Sequence, residues 1–283
     1  MHSPEYKIRT MTRAEVDIAI DWAAAEGWNP GLHDADCFYA ADPNGFLIGL
    51  LSDEPIAVIS VVKYDDHFGF LGCYIVKPGY RGQGYGKQIW NAGLAYLRGC
   101  SIGLDGVVEQ QSRYMKSGFI LAHANARYQG RAGGEVAADA QIVPLATLPF
   151  ADLIAYDRPL FPADRSAFLR SWIDQPEGIA LGILQAGELA GYAVLRRCRN
   201  GFKIGPLFAD TAELAERLFL ALKARAPAGA DIFLDAPAAN AAAVDMAQRH
   251  GMTVCFETAR MYLGTRPELP IERVFGVTSF ELG

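Results

Sequence analysis

A short segment near the start of the chain recurs beyond its middle, and further matches follow in the same register. Residues 45–49, Gly-Phe-Leu-Ile-Gly, return at 178–182 as Gly-Ile-Ala-Leu-Gly. Three more pairs lie at the same offset: Gly72 with Gly205, Gly118-Phe119 with Gly251-Met252, and Ala126-Arg127 with Ala259-Arg260. Four matches at one offset predict two copies of a single α/β unit.

The join between the copies is predicted near residues 130–140. The stretch 130–135, Gly-Arg-Ala-Gly-Gly-Glu, is rich in glycine and polar residues, as linkers are. Leu104-Asp105 and Leu234-Asp235 also look related, with a few residues inserted in the second copy. Since 283 residues suffice for two ordinary domains, we expect one domain over residues 1–132 and another over residues 139–283.

The first copy contains a glycine-rich segment between a predicted strand and a predicted helix. An apolar run over residues 68–76 precedes it, and a helical pattern of apolar residues follows Lys87. Unpaired N–H groups at a helix start act with the helix dipole to attract an anion. Glycines at 82, 84 and 86 leave the backbone open to a phosphate, and Arg81 and Lys87 add positive charge. The segment therefore predicts a phosphate-binding loop.

Two better-known glycine loops do not match this segment. The P-loop requires a glycine and a Ser or Thr where this chain has Arg81 and Gln88, and the dinucleotide loop requires its third glycine one residue later. A surface turn that binds nothing is disfavoured by the flanking strand and helix. The segment resembles the acetyl-CoA loop of the GNAT N-acetyltransferase superfamily, Q/R-x-x-G-x-G/A, with Arg81, Gly84 and Gly86 at its fixed positions. Val76-Lys77-Pro78 resembles the V-x-P that ends the family's fourth strand.

A second motif supports the same family. Residues 114–119, Tyr-Met-Lys-Ser-Gly-Phe, resemble the Y-x-x-x-G-F that closes the family's next helix. The resemblance implies that the Tyr114 hydroxyl faces the CoA sulfur and protonates the departing thiolate; the alternative is a tyrosine of the core. Many members carry Asn where this chain has Val107, and Gln110, Gln111 or Ser112 would have to replace its contact with CoA.

The resemblance implies that acetyl-CoA binds in the first copy, with the backbone of the fourth strand holding the pantetheine arm and polarising the acetyl carbonyl. The predicted acetyl-CoA-binding residues are Ile75, Val76, Arg81, Gly82, Gln83, Gly84, Tyr85, Gly86, Lys87 and Gln110.

The second copy differs from the first where this chemistry would lie. After residues 205–208 it has no glycine loop; Asp210 or Thr211 resembles an ordinary helix cap instead. Ala247 occupies the place that corresponds to Tyr114. We therefore expect the second copy to lack an acetyl-CoA site of its own. The apolar tail over residues 274–283 is expected to dock on the protein.

The acceptor side is predicted in the loop that follows a helix ending before Gly27. In GNAT folds this region forms one wall of the acceptor pocket, and Glu26, Trp28, Asn29 and Asp34 are the candidate acceptor-binding residues. A carboxylate would attract an amine and Trp28 would supply a packing or cation–π face; equally, Glu26 could be solvated and Trp28 could be core. The base is open: the fourth strand has no carboxylate, which leaves Glu26, Asp34, Asp65, Asp66 or water.

Composition excludes several classes of function. The net charge is −6, and no basic block is present, so no nucleic acid partner is expected. The five cysteines and five histidines show no ligand spacing, so no metal is expected. The sequence contains no apolar segment of membrane-spanning length and no signal core, which predicts a cytoplasmic protein without membrane contact.

These features predict an α/β (α+β) protein with two tandem GNAT-like domains, each a mixed, mostly antiparallel sheet flanked by helices. The expected function is that of an acetyl-CoA-dependent N-acetyltransferase, in which the primary amine of a small molecule attacks the thioester directly in a ternary complex. Two alternatives remain open: a protein or peptide N-acetyltransferase, and a regulatory module that binds acetyl-CoA without turnover. Oligomeric state is not predicted.

Overall fold

The computed structural model describes residues 5–283, in which all strands join one sheet with helices packed on it. Most neighbouring strands are antiparallel, as predicted; β4–β5 and β10–β11 are the parallel pairs. The strands are β1 (Tyr6–Thr10), β2 (Phe46–Leu51), β3 (Glu54–Lys63), β4 (Phe68–Val76), β5 (Ser101–Val107), β6 (Ile120–Arg131), β7 (Ile142–Pro144), β8 (Ile179–Gln185), β9 (Glu188–Arg197), β10 (Phe202–Ala209), β11 (Asp231–Pro237), β12 (Thr253–Leu263) and β13 (Val274–Gly276).

Side chains cap the first N–H groups of three α-helices. Thr12 forms a capping box with Glu15 before α1, and Thr211 and Asn240 cap α7 and α8. None of the helices within residues 5–283 is long and apolar enough to cross a membrane. The helices are α1 (Arg13–Ala25), α2 (Asp34–Ala41), α3 (Tyr85–Tyr96), α4 (Gln111–Lys116), α5 (Phe150–Asp157), α6 (Ser166–Ile173), α7 (Ala212–Lys223) and α8 (Ala241–Arg249).

The sequence repeat corresponds to a structural repeat. Its matched segments lie on equivalent elements: β2 with β8, β4 with β10, β5 with β11 and β6 with β12. The connection between the copies is the segment from residue 132 to 141, between β6 and β7. The prediction of two α/β copies is thereby confirmed, whereas the limits 1–132 and 139–283 stay a prediction.

The two copies exchange strands at the centre of the sheet. The order there is β4-β5-β12-β6-β11-β10, so β12 of the second copy lies between β5 and β6 of the first, and β6 lies between β12 and β11. The backbone hydrogen bonds of the three pairs β5–β12, β12–β6 and β6–β11 therefore all join one copy to the other. The sequence patterns predicted two sheets; the structure merges them into one.

Two buried ion pairs repeat across this exchange. Arg127 of β6 donates to Asp235 of β11 at 2.6 and 2.7 Å, and Arg260 of β12 donates to Asp105 of β5 at 2.9 and 2.7 Å. Both pairs are bidentate and almost wholly shielded from solvent. The repeated Ala-Arg and Leu-Asp segments of the sequence thus mark the contacts that lock the copies together.

Helices and the tail add a second contact between the copies. Phe38 of α2 stacks on Trp172 of α6, with ring centroids 6.2 Å apart. Beyond β13, which pairs with β10, the tail crosses to the first copy, where the Tyr64 hydroxyl donates to the Leu282 carbonyl at 2.9 Å. All of residues 274–283 are buried, which confirms the expectation that the tail docks.

A buried ion pair between the copies is expected to carry a large stability effect. Asp34 and Arg196 are both fully shielded and lie 2.9 Å apart. Arg196→Met should lower the free energy of unfolding by about 3–5 kcal/mol, because it leaves the carboxylate buried without its partner. Arg197→Met is the matched control: its half-exposed pair with Glu177 should contribute at most about 1 kcal/mol. Equal losses of the two variants in urea unfolding would contradict this expectation.

Candidate active site of the first copy

A cleft opens in the first copy where β4 and β5 part. These two parallel strands pair from Phe68 with Ser101 as far as Leu71 with Leu104, and diverge beyond that point. The cleft has a volume of about 970 Å³, within the usual size of a small-molecule site. A backbone irregularity on β4 contributes to the opening, since the β3–β4 register shifts here and Cys73 has a φ of 44°.

The predicted phosphate loop forms one end of this cleft. Gly82 and Gly84 have φ values of 77° and 90°, which any residue with a side chain rarely adopts, and a Cβ at either would meet open space. Gly84 is the N-cap of α3, whose first N–H groups are therefore free of a side-chain cap. The loop thus offers an uncovered helix start to an anion.

Most of the predicted acetyl-CoA residues come together on this cleft. Those that line it are Ile75, Val76, Arg81, Gly82, Gly84, Gly86, Lys87, Gln110 and the predicted acid Tyr114. Two predicted residues do not line it. Gln83 turns back to donate to the Gly79 carbonyl at 2.9 Å, and Tyr85 packs on Tyr6 with ring centroids 4.8 Å apart. A side chain at Gly86 would meet the Tyr74 hydroxyl, which explains the third glycine by packing.

Tyr114 is held in a defined position along the cleft. Its ring stacks on Trp90, with centroids 5.6 Å apart and planes at 27°, and any side chain at position 106 would collide with it. Burial, followed by the neighbouring Tyr74, raises the pKa of Tyr114 to about 12. The hydroxyl therefore keeps its proton throughout the neutral range, where it can act as an acid but not as a base.

The predicted acceptor residues divide into two groups. Glu26 and Trp28 line the cleft, and the Glu26 carboxylate pairs with Arg81. Asn29 instead bonds with Asn200 of the second copy at 2.8 and 2.9 Å. Asp34 is fully buried, accepting from Arg196 and from the Gly31 N–H at 2.7 Å. Both oxygens of Asp34 are used inside the structure, so its expected role as an attractor of the acceptor is not retained.

The other candidate bases also lie away from the cleft. Asp65 accepts the backbone N–H groups of His67 and Phe68, each at 2.8 Å, and Asp66 is exposed beside Lys63 at 2.7 Å. Neither residue lines the cleft. Of the four carboxylates named from sequence, only Glu26 remains next to the site.

Sequence reasoning missed several residues that close the cleft. Arg113 adds a cation from α4, and the second copy contributes four further lining residues: Phe256, Thr258, Phe280 and Glu281. The apolar tail was a signal that this segment docks somewhere. Its destination could not be read from the sequence, because it depends on the path of the chain after β13.

The corresponding place in the second copy is filled by protein. β10 and β11 pair only from Phe202 to Ile204, and beyond that point β13 pairs with β10. Backbone oxygens of Val277 and Thr278 lie against Gly205, the equivalent of Gly72. Thr211 caps the next helix with its side chain, and Ala247 is fully buried. Among residues 5–283 no cluster of His, Cys, Asp and Glu could hold a metal ion.

Comparisons with known proteins agree with this architecture. A family model described as "Acetyltransferase (GNAT) family" matches residues 13–119, and one described as "Acetyltransferase (GNAT) domain" matches residues 153–276. A protein of Pseudoalteromonas sp. named holothin acyltransferase is 32% identical over 270 residues, which cover 95% of this chain and 92% of that protein.

Two solved structures share the two-copy fold. A putative acetyltransferase from Pyrococcus horikoshii superposes with a TM-score of 0.83 at 20% identity, covering 100% of this chain and 98% of that one. A tandem GNAT protein from the clavulanic acid biosynthesis pathway gives a TM-score of 0.63 at 12% identity, covering 93% and 100%. The chain is therefore a member of the GNAT acetyltransferase family with two GNAT domains in tandem.

Proposed function

We propose that this GNAT acyltransferase moves an acetyl group from acetyl-CoA to the primary amine of a small molecule, by direct attack in a ternary complex. The observation that carries the proposal is a single cleft that joins the open glycine loop at one end to Tyr114 and an aromatic-walled recess along its length. Donor, acid and acceptor positions are thus contiguous, as direct transfer requires.

The loop supplies the anion-binding end. The first N–H groups of α3 point at the pyrophosphate, and the open space beside Gly82 and Gly84 lets it approach the backbone. Lys87 and Arg113 line the same end and add charge. Arg81 donates to the Val76 carbonyl at 2.7 Å, which ties the loop to the end of β4.

The diverging strands supply the pantetheine end. Beyond Leu71 the edge of β4 has no β5 partner, so the backbone near Ile75 and Val76 is available to the amide groups of the pantetheine arm. An N–H group at this edge would also stabilise negative charge that develops on the acetyl oxygen. The two residues act through backbone, so their side chains matter only for packing.

The acceptor is proposed to be a small amine because the second domain closes the recess. Trp28 of the first copy and Phe256 and Phe280 of the second line it, and this aromatic surface from both copies suits the body of a small amine. The relative named as a holothin acyltransferase agrees with transfer to a single compound. A purely regulatory binding module would have no use for a half-buried, protonated tyrosine hydroxyl in the cleft.

The second copy is proposed to bind no acetyl-CoA, because β13 occupies the place where its strands part. Calorimetry should then give one acetyl-CoA per chain, and two equivalent sites would contradict it.

Turnover is tested by thiol release from acetyl-CoA against amino acids, polyamines, aminoglycosides, arylalkylamines and peptides. Release with peptides alone would favour the protein acetyltransferase, and binding without release against any amine would favour the regulatory module.

Tyr114→Phe keeps the ring and removes only the proton donor. We expect turnover to fall by roughly 10²-fold or more, the usual scale for a general acid, with acetyl-CoA affinity little changed. Since the pKa of Tyr114 is raised to about 12, wild-type activity should show no alkaline loss from this group below that range. Tyr39→Phe, a half-buried tyrosine outside the cleft, is the control. Unaltered turnover of Tyr114→Phe, with chemistry limiting the rate, would remove the hydroxyl from the mechanism.

A further inference from the structure

The last residues of the chain place a carboxylate in the active site of the other copy. After β13 the tail runs to β4 and is fixed there by the Tyr64 bond to Leu282 and by the Leu282 N–H, which donates to the Ser279 hydroxyl at 3.1 Å. A Cβ at Gly72 would collide with the Glu281 carbonyl, so the tail lies directly on β4 where the cleft begins. Glu281 is thereby seated one residue from the point where β4 and β5 part.

The Glu281 side chain is buried yet lacks a partner. It lines the cleft with only 4% of the residue exposed, and within residues 5–283 its Oε2 atom accepts no hydrogen bond. The Thr258 hydroxyl, which lines the same recess, is buried and also without a partner. Because unpaired buried polar groups are costly, these two groups together indicate a polar ligand that brings N–H donors.

The charged and titratable surroundings of Glu281 do not supply that partner. Arg127 of β6 and Arg196 of β9 interact electrostatically with it, and each donates to another carboxylate, Asp235 and Asp34 respectively. The Nη2 atom of Arg196 is also buried and has no hydrogen-bond partner within residues 5–283, but it donates no hydrogen bond to Glu281. Burial and the charge of Glu281 raise the pKa of the Cys73 thiol on β4, which keeps that neighbour neutral. A cationic group entering the recess would therefore find an unpaired carboxylate.

We infer that Glu281 is the catalytic base of the reaction, and that it binds and deprotonates the ammonium group of an amine with an apolar, aromatic body. The inference rests on the proposed function. The body of the acceptor packs among Trp28, Phe256 and Phe280, and its ammonium group donates to Glu281 and to Thr258. The fourth strand has no carboxylate of its own, and the tail of the second copy provides one at the same place.

Glu281, Tyr114 and water together account for every proton in the step. Glu281 takes one proton from the ammonium group and later passes it to water. The neutral nitrogen attacks the thioester carbon, the N–C bond forms and the C–S bond breaks, while Tyr114 gives its proton to the departing sulfur. The nitrogen loses a second proton, which returns Tyr114 to its neutral form. The products are the N-acetylated amine and the free thiol of CoA.

The test is Glu281→Gln in the full chain, with acetyl-CoA and benzylamine as the probe. We expect kcat/KM for benzylamine to fall by roughly 10²-fold or more at neutral pH. The loss should shrink as pH rises toward the pKa of the free amine, because unprotonated benzylamine then needs no base. Acetyl-CoA affinity should be unchanged, because the amide has nearly the size and shape of the carboxylate and leaves the glycine loop untouched. Glu272→Gln, the same change at an exposed carboxylate nine residues earlier, is the matched control.

A second variant tests position rather than charge. Gly72→Ala leaves the carboxylate in the chain but displaces the tail from β4, so it should also lower benzylamine turnover; Gly79→Ala, where a Cβ meets nothing, should not. Wild-type turnover by Glu281→Gln, an equal loss at every pH, or loss of acetyl-CoA binding would each overturn the inference. So would a wild-type enzyme that acetylates other amines but not benzylamine, a result that leaves the proposed function intact. A wild-type chain that binds no acetyl-CoA would instead overturn the proposed function itself.

Discussion

Gly84→Glu is expected to abolish acetyl-CoA binding while the protein stays folded. The new carboxylate would stand at the N-cap of α3, where the proposed pyrophosphate meets the first N–H groups of the helix. Its charge repels the phosphates and its bulk fills the open space beside the loop. Calorimetric titration with acetyl-CoA should then give no measurable heat of binding, and thiol release should stop with every amine.

The same helix provides a matched control for this change. Gly99 lies just beyond the other end of α3, and its φ of 95° is close to the 90° of Gly84. A Cβ at Gly99, like one at Gly84, would contact no other atom. Gly99→Glu therefore adds the same charge and the same backbone strain, about 1–2 kcal/mol, away from the cleft. Loss of binding in both variants would point to strain in the helix, and retained binding in Gly84→Glu would remove the loop from the proposed site.

Separation of the two copies is expected to destroy activity. A fragment of residues 1–135 would lack β12, which lies between β5 and β6 and donates Arg260 to Asp105. The fragment would expose unpaired strand edges and leave Asp105 buried without its cation, and it would lose Glu281 as well. We expect it to aggregate or bind a hydrophobic dye, and to show no acceptor turnover.

A nicked chain separates this effect from simple cleavage of the backbone. Residues 134–138 are exposed in the connection between β6 and β7, so a protease site introduced there can be cut in the folded protein. The cut halves should remain associated through the exchanged strands and keep their activity. A soluble fragment 1–135 with the kcat/KM of the full chain would contradict the role proposed for the second copy.

The glycine-loop end of the cleft could be predicted because its geometry is local in sequence. Positive φ values at Gly82 and Gly84 and a helix start at Tyr85 follow from a few consecutive residues. Tyr114, which lines the cleft, was named in the same way from a motif that ends one short helix. The side chains of Gln83 and Tyr85 turn away from the cleft, which the motif could not show because it gives order along the chain and not the direction of each side chain.

The acceptor end could not be predicted because residues far apart in the chain build it. Trp28, Phe256 and Glu281 meet only because β12 enters the first copy and the tail crosses to β4. Backbone hydrogen bonds hold these strands together, and every residue type except proline can form them. The sequence pattern of a strand therefore does not predict which sheet edge it will join. Asp34 was expected at the acceptor side, but it forms a buried ion pair with Arg196 of β9. That pairing also depends on tertiary packing and could not be predicted.

By itself the sequence determined the family, the duplication, the glycine loop and the loss of that loop from the second copy, since each depends on residue types at short and regular spacing. Tertiary structure alone decided that the copies share one sheet, that Asp105 and Asp235 are each neutralised by an arginine of the other copy, and that Glu281 rather than Asp34 faces the cleft. The physical reason is that burial and pairing, which decide whether a carboxylate is free to act, are properties of the packed chain.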